Sequence, residues 1–377
     1  MLKIGITGQN GFIGTHLYNT LGLCPDLYQR IPFDRSFFSD PSKLQQFVSQ
    51  CDAIVHLAGL NRHNDPQVIY ETNLDLVKRL ITAMEATGSK PHVLFASSTQ
   101  EEKDNPYGRS KKEGRALLVQ WAERNNARFT GMVIPNVFGP FGHPFYNSVV
   151  ATFCHQLTHG ETPEIHIDGE LQLIYVGELV EVILKQLATS NEPPAAGQLL
   201  TVQATATIKV SGLLEKLYGF KEQYLDQRII PDLGEPFDRN LFNTFVCYID
   251  HQSFFPGMLK PHADQRGSFV EVLKLNRTGG QVSFSTTASG ITRGDHFHTR
   301  KFERFAVIKG NARIEIRRIG TDKKISFDLD GEKPSFVDMP IWHTHNITNV
   351  GEEDVYTLFW ISEFYDPNDP DTFYEKV

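Results

Sequence analysis

Apolar residues follow two different rhythms along this chain of 377 residues. Up to residue 134, short apolar runs at 3–7, 53–57, 92–96 and 130–134 alternate with longer amphipathic stretches at 11–21, 65–87 and 107–125. The short runs predict strands buried on both faces, and the longer ones predict covering helices. Strand–helix alternation at this spacing predicts a doubly wound parallel α/β sheet. Helical patterns continue less regularly from 136 to about 217, broken by a Pro/Ala/Gly stretch at 192–197. Past residue 245 the period shortens to two. Segments 269–275, 281–286, 303–308 and 312–318 alternate, divided by Gly, Asp and Asn, which predicts an antiparallel sandwich or barrel. The expected division is therefore 1–245 and 246–377.

Composition narrows what such a chain can do. Apolar residues make up 40 % and charged residues 22 %, enough for ordinary cores, so wholesale disorder is excluded. Lys and Arg number 37 against 45 acidic residues, a formal charge of −8. That balance gives no electrostatic funnel for nucleic acid or an anionic membrane, but leaves room for a small anionic ligand in a local positive pocket. Cys24, Cys51, Cys154 and Cys247 form no CxxC pair, and no apolar run approaches the ~20 residues of a membrane span. The first residues are too glycine-rich for a signal peptide. A soluble, cytoplasmic protein is expected.

Two constellations carry candidate chemistry. In the first, Gly8, Gln9, Asn10, Gly11, Phe12, Ile13 and Gly14 follow the first strand and open a helix. Glycines there permit a tight turn and close approach to a pyrophosphate at the helix's positive end. Tyr107 and Lys111 lie four apart on one helix face, so the ammonium can favour the phenolate. Ser98, after the third strand run, can hydrogen-bond the same substrate oxygen.

Taken with His56-Leu57-Ala58-Gly59, Ser97-Ser98-Thr99 and Asn136-Val137-Phe138-Gly139-Pro140, this half resembles the extended short-chain dehydrogenase/reductases acting on nucleotide sugars. The resemblance implies a Rossmann fold, a nicotinamide cofactor held by the glycine loop with Leu57, Ala58, Tyr107 and Lys111, and a catalytic trio of Ser98, Tyr107 and Lys111. It also implies that Asn136 faces the substrate. Three departures stand out. Thr99-Gln100 replaces the Asp-Glu pair of family dehydratases, which argues against 4,6-dehydration. Val133 occupies a position where many relatives carry arginine. Asp34 is the one acidic residue near the end of a second strand, and with Arg30 and Arg35 close by, NADPH is expected ahead of NADH.

In the second constellation, His296 and His298 share one strand face. Glu303 follows, and a further histidine comes from the His343-Thr344-His345 run. Three imidazoles and a carboxylate suit a divalent metal with positions left open. The frame from Gly290 to Gly310 resembles the first cupin motif. Pro340, His345 and Asn349 match the second motif, with Trp342 in the place of its glycine. That resemblance implies a jelly-roll barrel, selects His345 over His343 as ligand, and implies zinc, although iron, manganese or nickel would suit the same set. A dimer through this half is expected because cupins commonly pair.

Segments 264–271 and 293–296 also resemble elements of the dTDP-4-keto-6-deoxysugar 3,5-epimerases, with Arg266, Arg293 and Lys301 as candidate substrate contacts. The fusion as a whole resembles the bifunctional CapF-type enzymes of capsule and O-antigen synthesis. It implies a UDP-linked 2-acetamido-2,6-dideoxy-4-ketohexose that is epimerised at C3 and then reduced at C4. Two alternatives are a single-activity 4-ketosugar reductase with a dimerising cupin, and a nucleotide-sugar-binding regulator.

Overall fold

A computed structural model describes residues 1–264, 267–270, 272–275, 280–363 and 365–377. Contacts divide the chain into two compact units. One comprises Met1–Phe138, Gly142–Val149 and Gly169–Lys209; the other comprises Gly139–Phe141, Val150–Asp168 and Val210–Val377.

The first unit is built on strands β1 (Leu2–Thr7), β2 (Tyr28–Ile31), β3 (Ala53–His56), β4 (His92–Ser98) and β5 (Phe129–Ile134), with Gln198–Thr201 at the far edge. Their order is β2-β1-β3-β4-β5 and then the edge strand, and every pairing is parallel. Side chains alternate across a strand, so neighbouring residues serve opposite cores. Ile54, Val93 and Phe95 meet Val48, Val77, Leu80, Leu118 and Trp121 on one face. Val55, Leu94, Ala96 and Met132 meet Leu17, Leu21, Leu179 and Ile183 on the other. The near-continuous apolar runs are thus explained by burial on both sides. Helices α1 (Phe12–Gly22), α2 (Pro41–Ser49), α3 (Pro66–Thr87) and α4 (Pro106–Asn125) supply most of the cover. This is the doubly wound Rossmann-type arrangement. Strand order reverses between β1 and β3, where such folds leave a crevice at the strands' carboxyl ends.

The second unit has two five-stranded sheets. One runs Gly257–Met258, Ser335–Met339, Glu303–Lys309, Val355–Ile361, Gln281–Thr287; the other runs Lys324–Asp330, Asn311–Arg318, His343–Asn349, Thr292–Phe297, Phe373–Tyr374. Their pairings are antiparallel. Ala306, Phe336, Val337 and Met339 of the first sheet share a core with Ile314, Ile316, Leu329 and Ile347 of the second, in the cupin-type sandwich. The expected strand at 269–275 falls partly on residues that are not described; Gly267–Val270 and Lys274–Leu275 are strands.

Residue 245, the expected division, falls inside the second unit. The reason is aromatic packing. Phe242, on helix Pro236–Val246, lies 5.6 Å from the Phe302 ring and 5.2 Å from the Tyr224 ring. The buried Arg304–Asp338 pair adds to this, with Arg304 Nε 2.7 Å from Asp338 Oδ1 and the Tyr224 hydroxyl donating to the same carboxylate. Among the described residues, no helix is long and apolar enough to cross a membrane.

Candidate active sites

The glycine turn after β1 is tight enough to exclude side chains. Gly8 has φ +80°, and a Cβ there would stand 2.9 Å from Ala58 N. A Cβ on Gly14 would stand 2.1 Å from the Gly8 carbonyl oxygen. Gly11 caps α1 without any side-chain hydrogen bond, so the first-turn N–H groups are available to an anion. The loop after β3 therefore abuts the turn after β1, which brings Leu57 and Ala58 to the glycine loop. Gln9 Oε1 accepts from Phe33 N–H at 3.2 Å and ties the turn to the segment after β2. Asp34 caps the short turn Arg35–Ser39, accepting from Ser36 N–H at 2.8 Å. Arg30 is held elsewhere, 4.3 Å over the Tyr18 ring. Arg35 is exposed and borders a cleft of about 430 Å³ with Ser36, Ser39 and Arg79.

Tyr107 and Lys111 come together on the inner face of α4, with Lys111 Nζ 5.7 Å from the phenol ring centroid. Lys111 is buried, and its ammonium donates to Ala96 O at 2.9 Å. Burial lowers its pKa to about 8. The Tyr107 phenol is instead pushed up to about 12, by burial first and Tyr146 second. Desolvation thus sets the direction, opposite to that expected from helical spacing. A phenol that keeps its proton at neutral pH is suited to donating one. His56, stacked on Phe95, is held neutral by burial and by Lys111, its pKa pushed down to about 3. Ser98 ends β4, its Oγ accepting from Gln100 N–H at 3.2 Å. Asn136 is exposed on strand Asn136–Phe138.

In the second unit, one donor atom each from His296, His298, Glu303 and His345 lies within 4.8 Å of the others. His298 Nε2 and His345 Nε2 both stand 3.1 Å from Glu303 Oε2. All three atoms are buried, and none makes an aligned hydrogen bond. Convergent, unsatisfied donors of this kind fit a divalent cation. The tautomers agree. His298 Nδ1 donates to Asp371 O at 2.5 Å, and His345 Nδ1 donates to His343 O at 3.2 Å. Each Nε2 is thereby the ring nitrogen that faces the cluster. Burial, then the neighbouring His345 and His298, press the His296 pKa down to about 4. Burial opposes ionisation of Glu303, but the adjacent His298 and His345 hold its carboxyl well below the usual range.

The strands explain how the cluster assembles. Gly294 and His296 face Asn346 and His345, leaving Asp295 as an extra residue with φ +54°. Such a bulge re-aims the next side chain. Trp342, in the place of the motif's glycine, takes φ +59°. Left-handed backbone costs a non-glycine residue about 1–2 kcal/mol. Stacking on Phe297 at 5.5 Å and an N–H donated to His298 O at 2.8 Å offset it. His343 lies outside the cluster, its Nδ1 donating to Ile341 O at 3.0 Å and its ring 5.3 Å from His251. Arg293 is exposed and donates to Thr286 O. Lys301 is buried, its ammonium donating to Pro370 O. Arg266 lies outside the described residues.

Two family models match the chain: the NAD dependent epimerase/dehydratase family at residues 4–198 and the polysaccharide biosynthesis C-terminal domain at 262–373. A UDP-2-acetamido-2,6-beta-L-arabino-hexul-4-ose reductase of Pseudomonas aeruginosa is 35 % identical over 379 residues, covering 99 % of this chain and 98 % of the relative. The capsular polysaccharide assembling protein CapF of Staphylococcus aureus is 32 % identical, with TM-score 0.63 and both chains fully covered. This chain belongs to the CapF-like family. A further structure, RMD of Pseudomonas aeruginosa complexed with NADPH, is 22 % identical with TM-score 0.53, over 59 % of this chain and 83 % of its own; it shares the fold.

Several supporting residues of this CapF-like chain escape the motifs. Asn73 on α3 accepts from Leu60 N–H at 2.6 Å and donates to Ser110 Oγ at 3.0 Å, close beside Lys111. Arg115, on the Tyr107–Lys111 face of α4, donates to both Glu101 oxygens at 3.2 and 3.0 Å, and Ser97 donates to Glu101 at 2.5 Å. Gly108 has a signal in sequence, standing directly after Tyr107. A Cβ there would lie 2.0 Å from Gln100 O and 2.9 Å from Lys103 O, so only glycine lets α4 sit against the turn after Ser98. In an open helix Gly→Ala gains about 1 kcal/mol. Here backbone must move instead. Gly108→Ala is expected to cost reduction about 100-fold in kcat/KM, the scale of a ~1 Å misplacement, with the fold retained by circular dichroism.

Proposed function

We propose that this protein is a bifunctional nucleotide-sugar enzyme acting on a UDP-2-acetamido-2,6-dideoxy-4-ketohexose of the L-arabino configuration. The second unit inverts C3. The first then reduces the C4 ketone, giving UDP-2-acetamido-2,6-dideoxy-β-L-talose. The observation that carries this reading is that the match to the Pseudomonas reductase runs over 99 % of this chain and 98 % of the relative, so it spans both the unit that holds Tyr107 and Lys111 and the unit that holds the four-residue cluster. The chemistry fixes the order. A C4 ketone acidifies the C3 proton, and reduction removes that ketone, so epimerisation precedes it.

The glycine turn, Leu57 and Ala58 would hold a nicotinamide dinucleotide, with the exposed Arg35 as the candidate partner of a 2′-phosphate. When bound, NADPH supplies the reducing equivalents. Tyr107 holds the proton that the ketone oxygen receives, Ser98 orients that oxygen, and Lys111 fixes Tyr107 with its ammonium. A divalent cation, zinc by preference, would be held by His296, His298 Nε2, Glu303 Oε2 and His345 Nε2. It supplies positive charge that favours enolisation. Asn136 and Arg293, both exposed, are the side chains we assign to contacting the sugar nucleotide.

A second reading has one observation in its favour: the Pseudomonas relative's name specifies a reductase alone. In that reading the C-terminal half is not catalytic. NMR of the product formed with the 4-ketosugar and NADPH separates the two. Our reading predicts an inverted C3 in the reduced sugar. A reduced sugar that keeps its C3 configuration would establish the single-activity reductase.

A further inference from the structure

Two of the cluster's four residues, His296 and His298, come from one arm and Glu303 from the next strand, and the connection between them is short. His298 ends one arm and Glu303 begins the next, joined by Thr299, Arg300, Lys301 and Phe302. One distant residue grips both the ligand and the connection. The Asp371 carboxylate accepts Thr299 N–H at 3.0 Å, the Thr299 hydroxyl at 2.6 Å, Arg300 N–H at 3.0 Å and Lys301 N–H at 2.9 Å. Its own carbonyl accepts from His298 Nδ1 at 2.5 Å. Asp371 is 3 % exposed and has φ +39°, left-handed backbone for a non-glycine residue.

Neighbouring residues hold the same segment down. The Lys301 ammonium donates to Pro370 O, and Arg300 pairs with Asp369 at 2.8 Å. Phe373–Tyr374 pairs with His296 and Phe297.

We propose that Asp371 is a positioning residue for the metal centre. Its carboxylate gathers the connection between His298 and Glu303, and that grip sets its carbonyl where it fixes the His298 tautomer. The proposal rests on the reading that the four clustered side chains hold a divalent cation. The residue type follows from the donors. Three N–H groups and a hydroxyl converge on one buried group, and only an ionised carboxylate accepts all of them without presenting a hydrogen. Asparagine would turn an NH₂ toward at least one N–H. Glycine would suit the φ but accept nothing.

The test uses the full-length chain, stripped of metal and titrated with zinc against a chromophoric chelator, and with cobalt for its visible spectrum. Asp371→Ala and Asp371→Gly are expected to weaken zinc binding by about 10–100-fold, the scale for outer partners of ligating histidines, and to shift the cobalt bands. Asp371→Asn, the variant that best preserves shape, should lose less, and nicotinamide binding should be unchanged in all three. If Asp371→Gly binds zinc as tightly as the unaltered chain, the carboxylate has no such role. Lower melting temperatures with zinc affinity and cobalt spectrum unmoved would also overturn the proposal, leaving Asp371 a fold residue. Failure of the unaltered chain to bind zinc or cobalt overturns the metal reading itself, and this role with it.

Discussion

Tyr107→Phe is expected to lower NADPH-dependent reduction of the 4-ketosugar by about 10²–10⁴-fold, the range spanned by a positioned proton donor. The hydroxyl is the one group removed, and the half-buried ring keeps its place beside Lys111. Binding of NADPH should change little, so the loss appears in kcat. The pH profile adds a second signature. Burial raises the phenol to about 12 and lowers the Lys111 ammonium to about 8. Reduction should therefore decline as pH rises through about 8, where Lys111 gives up its proton while Tyr107 still holds its own. Lys111→Met should remove that limb along with most of the rate. Stability moves in the opposite sense. The lysine's folded pKa lies below its unfolded one, so between about 8 and 10.5 the unfolded chain binds more protons. In that window stability contributed by this group rises with pH.

Breaking the cluster in the second unit should have the other large effect. His345→Ala removes a buried nitrogen 3.1 Å from Glu303 and leaves a site with two imidazoles and a carboxylate. Metal that binds only the folded state stabilises it by about 4 kcal/mol at 1,000 times Kd. At a few degrees per kcal/mol for a unit of this size, that is a shift of roughly 10 °C. Scanning calorimetry of the zinc-loaded chain should show one transition falling by about that much when a chelator is added. The His345→Ala protein should melt at the lower temperature with or without chelator. An unchanged melting temperature in the unaltered chain on chelation would mean that the four side chains hold no stabilising ion.

What the sequence disclosed, and what it hid, follows from how local each signal is. The glycine turn lies within seven consecutive residues, and its φ and close approaches are dictated on the spot, so Gly8 and Gly14 are legible. The four strands β1, β3, β4 and β5 are legible because burial on both faces leaves apolar runs, whereas Tyr28–Ile31 and Gln198–Thr201, largely exposed at the sheet's edges, leave none. Residues 210–245 read as a continuation of the first half, since helical period says nothing about which core a helix joins. Phe242 and Tyr224 decide that by meeting Phe302. Spacing placed Tyr107 beside Lys111 correctly but misjudged the electrostatics, because burial of the phenol cannot be read from a helical wheel. Arg30 looked equivalent to Arg35 until Tyr18 claimed it. Trp342 shows that a position needing left-handed backbone can be filled by a large residue when packing offsets the strain. Asp371 was invisible for a simpler reason: its partners lie about 70 residues away, and an aspartate in a polar tail carries no pattern.

If the ketone serves C3 inversion before it is reduced, exchange at C3 needs no nicotinamide. The most direct measurement places the Tyr107→Phe protein, metal-loaded, in D₂O with the 4-ketosugar and no nicotinamide, and follows C3 by NMR. One deuterium should enter C3, and both C3 epimers should appear while the ketone persists. A C3 proton that stays unexchanged in that mixture would contradict that order.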